Sequence, residues 1–163
     1  MNTPLEFTDI LISLGLTVFF AGLIGYERQK RHKIAGLTTH LLVALGAAGL
    51  TLVQETLAYD ALQLVESNPD LIEAVVIERQ RIVAQIVSGV GFLGTGAILK
   101  TKGSISGLTT ASTLWASAII GIIFGYGEIV IGISVSVLMV FVLTVIKTYI
   151  RNHQFQDDES DYE

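Results

Sequence analysis

The chain has no cysteine among its 163 residues. Disulfide bonds and thiolate metal sites are therefore excluded, and cysteine usage says nothing about the redox compartment. Charged residues are also scarce, at 15% against about 25% in soluble domains. Instead, 51% of the residues are hydrophobic, the mean hydropathy is +0.62, and the charges fall in short patches between long uncharged runs. This composition is typical of an integral membrane protein.

The sequence also lacks the residue groupings on which catalysis depends. It contains no Ser/His/Asp or Cys/His grouping, no phosphate-binding loop and no metalloprotease spacing. We therefore expect neither an enzyme nor a bound cofactor, and no nucleic-acid partner. The amino-terminal residues lack the basic segment of a cleaved signal peptide, so we expect the first apolar run to remain in the protein.

Five apolar runs predict an all-α protein with five transmembrane helices. The runs are Ile10–Tyr26, Leu37–Val53, Ile82–Leu99, Leu108–Phe124 and Ile129–Ile146. They predict a transmembrane domain over residues 1–152, with a polar outer loop at 56–80 in which Asn68 and Pro69 indicate the start of a short helix. Residues 153–163 form an acidic tail that we expect to be disordered.

The basic residues predict the orientation in the membrane. Eight of the ten follow the first, third or fifth run, and only Arg79 and Arg81 fall on the other side. The amino terminus is then outside and the carboxyl terminus in the cytoplasm. Nine of the fifteen acidic residues map to the outer face. They either concentrate cations there or, in the interpretation we favour, collect where basic residues are excluded.

The third apolar run, between Arg81 and Lys100, is unusually rich in glycine. Four glycines lie in it, at Gly89, Gly91, Gly94 and Gly96. Glycines at this density predict close packing of one transmembrane helix against its neighbours. The first three also match a dinucleotide-binding fingerprint, but the flanks are apolar and no acidic residue follows at the required distance of about 20 residues.

Two motifs recur in the same order along the chain. Gly22-Leu-Ile-Gly25 precedes Ile34-Ala-Gly36-Leu-Thr-Thr39, and Gly91-Phe-Leu-Gly94 precedes Ile105-Ser-Gly107-Leu-Thr-Thr110. This pattern predicts two parallel helical-hairpin repeats, with a site at their interface and a fifth helix at the periphery. Each Gly-Leu-Thr-Thr segment begins a helix. The two helix starts either form a positive vestibule for an anion or water, or are simply capped by their threonines, which we favour.

Polar residues share single faces of three predicted helices. The economical arrangement points these faces inward, where they form hydrogen bonds between helices or line a narrow polar path. The candidates for such a path or ligand site are Glu27, Arg28, His40, Glu78, Gln85, Ser88, Thr95, Thr109, Thr110 and Thr113. Two side chains have alternatives: His40 is a buried packing residue or a pH sensor, and Trp115 is a helix-packing residue or the border of a pocket.

No carboxylate lies in the middle of a predicted span. A dehydrated Mg²⁺ site is therefore not expected, and no metal ligand is assigned. Glu27 and Glu78, near the ends of spans, are weak candidates for holding a hydrated Mg²⁺ at the rim. Glu27 and Arg28 either neutralise each other or pair with the connection at 100–102.

Several segments resemble the signature blocks of the MgtC/SapB family of bacterial inner-membrane proteins. The blocks are Gly25–Gln29, Ala35–Val43, Arg81–Gly96 and Gly107–Trp115. The resemblance implies about five transmembrane helices, a multi-pass location in the inner membrane and a link to growth in low magnesium. It also implies a short family form that lacks the soluble carboxyl-terminal domain. This chain has Thr38, Thr109, Glu78-Arg79 and Ala116 where the family usually has Arg, Asn, Asp-Pro and often Cys.

Two functions stay open on the sequence alone. The first is magnesium or ion homeostasis, with transport through a polar path between the two repeats. The alternative is a non-conducting regulator that modulates another membrane complex, such as ATP synthase or an ion pump. The expected partners are the lipid bilayer and either a second copy of the chain or another membrane protein.

Overall fold

The structure is a computed structural model, and it describes residues 6–73, 79–101 and 104–146. These residues form five α-helices, with a 3₁₀ turn before α3, a short β-hairpin before α4 and a π-helical continuation of α5. In chain order they are α1 (Phe7–Lys30), α2 (Leu37–Ser67), the 3₁₀ turn (Pro69–Leu71), α3 (Arg79–Gly96), β1 (Leu99–Thr101), β2 (Ser104–Ser106), α4 (Leu108–Gly125), α5 (Ile129–Phe141) and the π-helical segment (Val142–Ile146).

Three of the helices, α1, α2 and α4, are long and apolar enough to cross a membrane. The apolar stretch Ile129–Val145, which includes α5, is shorter. Among the described residues α3 is more polar than α1, α2 and α4, because arginine and glutamine fill its first turn and glycine, serine and threonine follow. The chain is thus a helical membrane protein with at least three candidate spans.

Helix α2 is longer than the second apolar run. It has 31 residues, so it is about 46 Å long, well beyond a hydrocarbon core of ~30 Å. Residues 56–67, which we expected in a polar loop, therefore continue the helix, because they contain no glycine or proline and many strong helix formers. The side chain of Asn68 donates back to the carbonyl of Leu64 at 3.3 Å instead of capping the turn that Pro69 begins.

The connection between α3 and α4 is a β-hairpin. We expected the third span to reach Leu99, but α3 ends at Gly96, and Leu99 pairs with Ser106 in an antiparallel ladder. The predicted residue Glu78, the end of the outer loop at 74–78 and the acidic tail at 153–163 lie outside the described residues.

Helix α4 lies at the centre of the bundle and contacts the other four helices. Its closest neighbour is α2. Gly121 permits this close approach, since a Cβ there would overlap the carbonyl oxygen of Ala44. One turn later, a Cβ at Gly125 would lie 2.9 Å from the carbonyl oxygen of Ala48. Glycines four residues apart let two membrane helices meet backbone to backbone. The described part of α5 packs at the edge of the bundle, against α4 and α1.

The close packing expected of the α3 glycines is found elsewhere. Gly89, Gly91 and Gly96 have no neighbouring atom within 4 Å of the position a Cβ would take, and a Cβ at Gly94 would make ordinary contact with Ala111 at 3.5 Å. The sequence motif that indicates the close contact between α4 and α2 is Gly121-x-x-x-Gly125. Trp115, expected as a packing residue, is 44% exposed on the surface of α4.

Candidate functional site

A buried guanidinium joins α1 to α4 at one end of the bundle. Arg28, in the last turns of α1, is only 1% exposed. Its Nη2 donates to the hydroxyl oxygen of Thr110 at 2.8 Å, although the two residues are 82 positions apart in sequence. A charged side chain is almost never buried to this degree unless it is paired or has a function. Arg28 is therefore the centre of the candidate site.

A glycine brings the start of α2 against this part of α1. A Cβ at Gly25 would lie 2.8 Å from the Cα of Leu37 and 3.1 Å from the Cβ of His40. Only a residue without a side chain allows this approach. The contact places His40, in the first turn of α2, within the same buried region as Arg28.

His40 is completely buried and hydrogen-bonded at both ring nitrogens. Its Nδ1 lies 2.7 Å from the carbonyl oxygen of Gly36, which only accepts, so Nδ1 carries a proton. Its Nε2 lies 3.0 Å from the hydroxyl of Thr113. The same hydroxyl is 3.0 Å from the carbonyl oxygen of Thr110. Thr113 has one hydroxyl hydrogen, so when Nε2 of a neutral His40 accepts a hydrogen bond from it, the carbonyl of Thr110 receives none from Thr113.

An acidic side chain completes the cluster. The carboxylate of Glu27 forms an ion pair with Arg31, four residues further along the chain. Apart from that ion pair, neither carboxylate oxygen has a hydrogen-bond partner within the described chain, and both are buried. The Nε and Nη1 atoms of Arg28 are likewise buried and without a partner there. Buried polar groups are normally hydrogen-bonded, so this concentration of unpaired atoms marks a functional candidate.

The threonines of the two Gly-Leu-Thr-Thr segments do not cap their helices as we expected. The residues before α2 and α4 are Gly36 and Gly107, and neither helix start has a side-chain cap at that position. The amide of Leu37 instead donates to Oε1 of Gln29 at 3.1 Å. Of the segments' threonines, only Thr110 is buried, and it accepts the bond from Arg28.

The polar residues of α3 are not buried inside the bundle. Gln85, Ser88 and Thr95 are all exposed on the surface of the chain. The hydroxyl of Thr95 donates to the carbonyl of Gly91 within its own helix at 2.9 Å. The opposite, apolar face of α3 packs inward, where Ile86 and Val90 join residues of α2 and α4. Gln85 lines an open groove between α2 and α3, so the described residues enclose no buried polar path along α3.

The described residues do not form a metal site of the usual kind. No group of three or more His, Cys, Asp or Glu side chains that could hold a metal ion occurs within 6–73, 79–101 and 104–146. The rim candidate Glu27 stands between Arg28 and Arg31 and is ion-paired to the second. This positive surrounding disfavours a bare divalent cation. Of the remaining candidates, Thr109 is exposed beside the cluster and Glu78 is outside the described residues.

Two buried polar residues lie near the middle of α2, and sequence reasoning missed one of them: Gln54 was expected on an inward face with His40, Ala47 and Thr51, whereas Glu55 was not. Gln54 and Glu55 are 8% and 7% exposed, although we assigned Glu55 to the outer face. Their helical spacing from the buried Ala47, Ala48 and Thr51 was the available signal. For Glu55 this signal was lost because residues 56–67 were assigned to a loop.

Comparison with known proteins places these features in a family. A model of the MgtC family matches residues 14–152. The chain is 41% identical to "Putative magnesium transporter YhiD" of Escherichia coli K12 over 84% of its own length and 60% of that protein's. It is 39% identical to "Protein MgtC" of Brucella abortus strain 2308 over 83% of its length and 50% of that protein's.

A third relative is "Protein MgtC" of Salmonella typhimurium strain 14028s. It is 42% identical over 72% of this chain and 44% of that protein. The chain thus spans about half the length of the curated relatives it matches. No solved structure matches it significantly.

Proposed function

This chain belongs to the MgtC family, and we propose that it serves magnesium homeostasis in the bacterial inner membrane as a regulator of another membrane complex. The magnesium part rests on the relatives' names, among them a putative magnesium transporter. The regulatory part rests on the packing of the bundle. Because the chain covers about half of its relatives' lengths, the activity of a whole relative is itself part of the proposal.

The proposed topology has five spans, with α3 and the helix that begins at Ile129 completing the three long ones. The amino terminus is then outside and the Arg28 cluster lies at the cytoplasmic end. What supports this orientation is the charge of that end, where five described basic residues accompany one acidic residue: Glu27, Arg28, Lys30, Arg31, Lys33 and Lys100.

The observation that carries the regulatory role is the contact between α2 and α4. At Gly121 and Ala44, and again at Gly125 and Ala48, the two backbones touch with no room for water between them. Of the polar side chains that would line a path along α3, Ser88 and Thr95 are exposed, and Gln85 lines an open groove between α2 and α3. A conduit needs a continuous row of hydrated or polar groups, and this interface interrupts it.

In this proposal the Arg28 cluster is the responsive element. It connects the end of α1 with the starts of α2 and α4, through one bond to Thr110 and the paired contacts of His40. Its unpaired buried atoms make it sensitive to small displacements of these helix ends. A partner that binds the cytoplasmic connection between α1 and α2 would therefore change the packing of α4.

The first test separates the cluster's role from general stability. Arg28→Met removes the buried charge, and Lys30→Met removes an exposed charge two residues away as the matched control. Because Glu27 keeps its ion pair with Arg31, Arg28→Met leaves no partner charge buried alone and also removes the cost of desolvating the guanidinium. We expect Arg28→Met to reach wild-type abundance in the membrane and to abolish growth of a dependent strain in low magnesium, whereas Lys30→Met grows normally. Normal growth of Arg28→Met would contradict the proposed role of the cluster.

A second measurement decides between regulation and transport. Purified protein in liposomes that contain a Mg²⁺-sensitive dye should show no flux above empty liposomes under a magnesium gradient. A saturable flux that Arg28→Met abolishes and Lys30→Met retains would instead support transport and overturn the regulatory proposal.

A further inference from the structure

A groove of about 380 Å³ lies between α4 and the helix that follows it. Nine residues line it: Thr109, Ser112, Thr113, Ala116, Val135, Leu138, Met139, Val142 and Leu143. Its volume is within the range of small-molecule sites, and its lining is mostly apolar with a few polar groups, as such sites usually are. The groove shares Thr113 with the buried cluster, and Thr109 was also a candidate path residue, but the other lining residues take no part in the site described above.

The groove results from uneven packing along α5. Near the start of α5, a Cβ at Gly132 would overlap the ring of Phe124, so the two helices touch. Further along, Leu143 packs towards α1 with Phe20 and Ile24, and the backbone changes to a π-helix from Val142. The change of helix type moves side chains off the regular α-helical register. The groove opens beside this change.

The polar wall of the groove is held in place by bonds inside the protein. The hydroxyl of Ser112 donates to the carbonyl of Leu108 at 2.9 Å. The hydroxyl of Thr113 contacts His40 and the carbonyl of Thr110, both at 3.0 Å. The wall is thus preformed, and it adjoins the buried cluster through Thr113.

Direction and charge identify the occupant. Along α4 the groove runs from Thr109 to Ala116, which is about 10 Å parallel to the helix axis. It starts at the amino-terminal end of α4. An acyl chain that enters a bilayer from its surface follows the same line. The same end of the bundle carries the basic residues Lys30, Arg31, Lys33 and Lys100, which complement a phosphate group. We propose that the groove binds one acyl chain of an anionic phospholipid, with the headgroup at the basic end.

The only tryptophan of the chain provides a native probe. Trp115 is 44% exposed and directly precedes Ala116 in the groove wall. Full-length protein in detergent is titrated with phosphatidylglycerol that carries brominated chains, and with phosphatidylcholine of the same chains. Bromine quenches tryptophan fluorescence at contact. We expect saturable quenching at a concentration at least five-fold lower for phosphatidylglycerol than for phosphatidylcholine.

Two matched variants locate the contact. Ala116→Leu fills the groove and should remove the saturable component, while Ala84→Leu makes the same change on the exposed surface of α3 and should leave it intact. Native mass spectrometry should show one phosphatidylglycerol retained by the wild type and by Ala84→Leu, but not by Ala116→Leu.

Three outcomes would overturn the proposal. Equal quenching by the two lipids, unaffected by Ala116→Leu, would show ordinary surrounding lipid. Quenching that favours phosphatidylglycerol equally in wild type and Ala116→Leu would place the lipid elsewhere. A change of oligomeric state in Ala116→Leu, without lipid preference in the wild type, would show that a second copy of the chain covers the groove.

Discussion

The two helical hairpins share a motif pattern but differ in how tightly they close. In the first, α1 approaches the start of α2 so closely at Gly25 that a Cβ would be 2.8 Å from the Cα of Leu37. At the corresponding Gly94 of the second hairpin, the nearest atom is the Cβ of Ala111 at 3.5 Å. The connection of the second hairpin is also two residues longer, and it contains the strands β1 and β2.

The difference extends to the chemistry at the helix ends. Three residues after Gly25 stands Arg28, whereas three residues after Gly94 stands Ala97. The first hairpin supplies the cation and the imidazole of the buried cluster, and the second supplies its hydroxyls through Thr110 and Thr113. The two repeats have thus become complementary halves of one polar cluster. Similar motifs indicate a common plan, but they do not indicate equivalent roles.

The largest expected difference concerns the glycines that precede α2 and α4. Gly107 has φ of +89°, and a Cβ there would overlap the carbonyl oxygen of Ala97. Gly36 has φ of −102°, and its nearest contact is the flexible side chain of Gln29 at 3.2 Å. Gly107→Ala should therefore destabilise the protein by about 3 kcal/mol or more, since backbone strain and overlap add, and Gly36→Ala by less than about 1 kcal/mol.

Unfolding free energies in mixed micelles of mild detergent and SDS measure both variants. Equal destabilisation by the two alanines would show that the hairpin connections are equivalent, contrary to the comparison above.

An intermediate difference is expected at the glycines inside the hairpins. Gly25→Ala pushes against backbone atoms of α2, so we expect a loss of about 1–3 kcal/mol. Gly94→Ala meets only a methyl group at ordinary contact distance and gains helix propensity, so it should be neutral or stabilising by about 0.5 kcal/mol. The same unfolding assay tests both. A loss at Gly94 as large as that at Gly25 would mean that α3 packs against α4 more closely than the structure has it.

The smallest difference is expected at the last threonine of each repeated motif. Thr110→Val removes the acceptor for Nη2 of the buried Arg28 and should cost about 1–3 kcal/mol. Thr39 is exposed, so Thr39→Val should change stability by no more than about 0.5 kcal/mol. In the double variant Arg28→Met with Thr110→Val, most of the Thr110 cost should disappear. Persistence of the full cost would show that Thr110 acts through another contact.

Much of this architecture follows from local sequence properties. The first, second and fourth apolar runs lie within α1, α2 and α4, because long runs of apolar residues favour helices wherever they fold. Gly36 and Gly107 stand directly before α2 and α4, because glycine has a low helix propensity and is favoured outside the helix. The candidate set also included Glu27, Arg28, His40, Thr110 and Thr113, which the structure brings to one end of the bundle. It could not indicate that Arg28 of one repeat meets Thr110 of the other, since that contact needs both hairpins in place.

The membrane character of the chain and the positions of its main helices were determined by the sequence alone. Which helix faces turn inward was decided by the tertiary structure. In α3 the polar side chains Gln85 and Ser88 are exposed and Ile86 is buried against the bundle, whereas we expected the polar face to be buried. The physical reason is that lipid and protein interior are similarly apolar, so hydrophobic periodicity does not identify the buried face of a membrane helix. Close contacts such as Gly121 against Ala44 identify it, and they exist only once the helices have assembled.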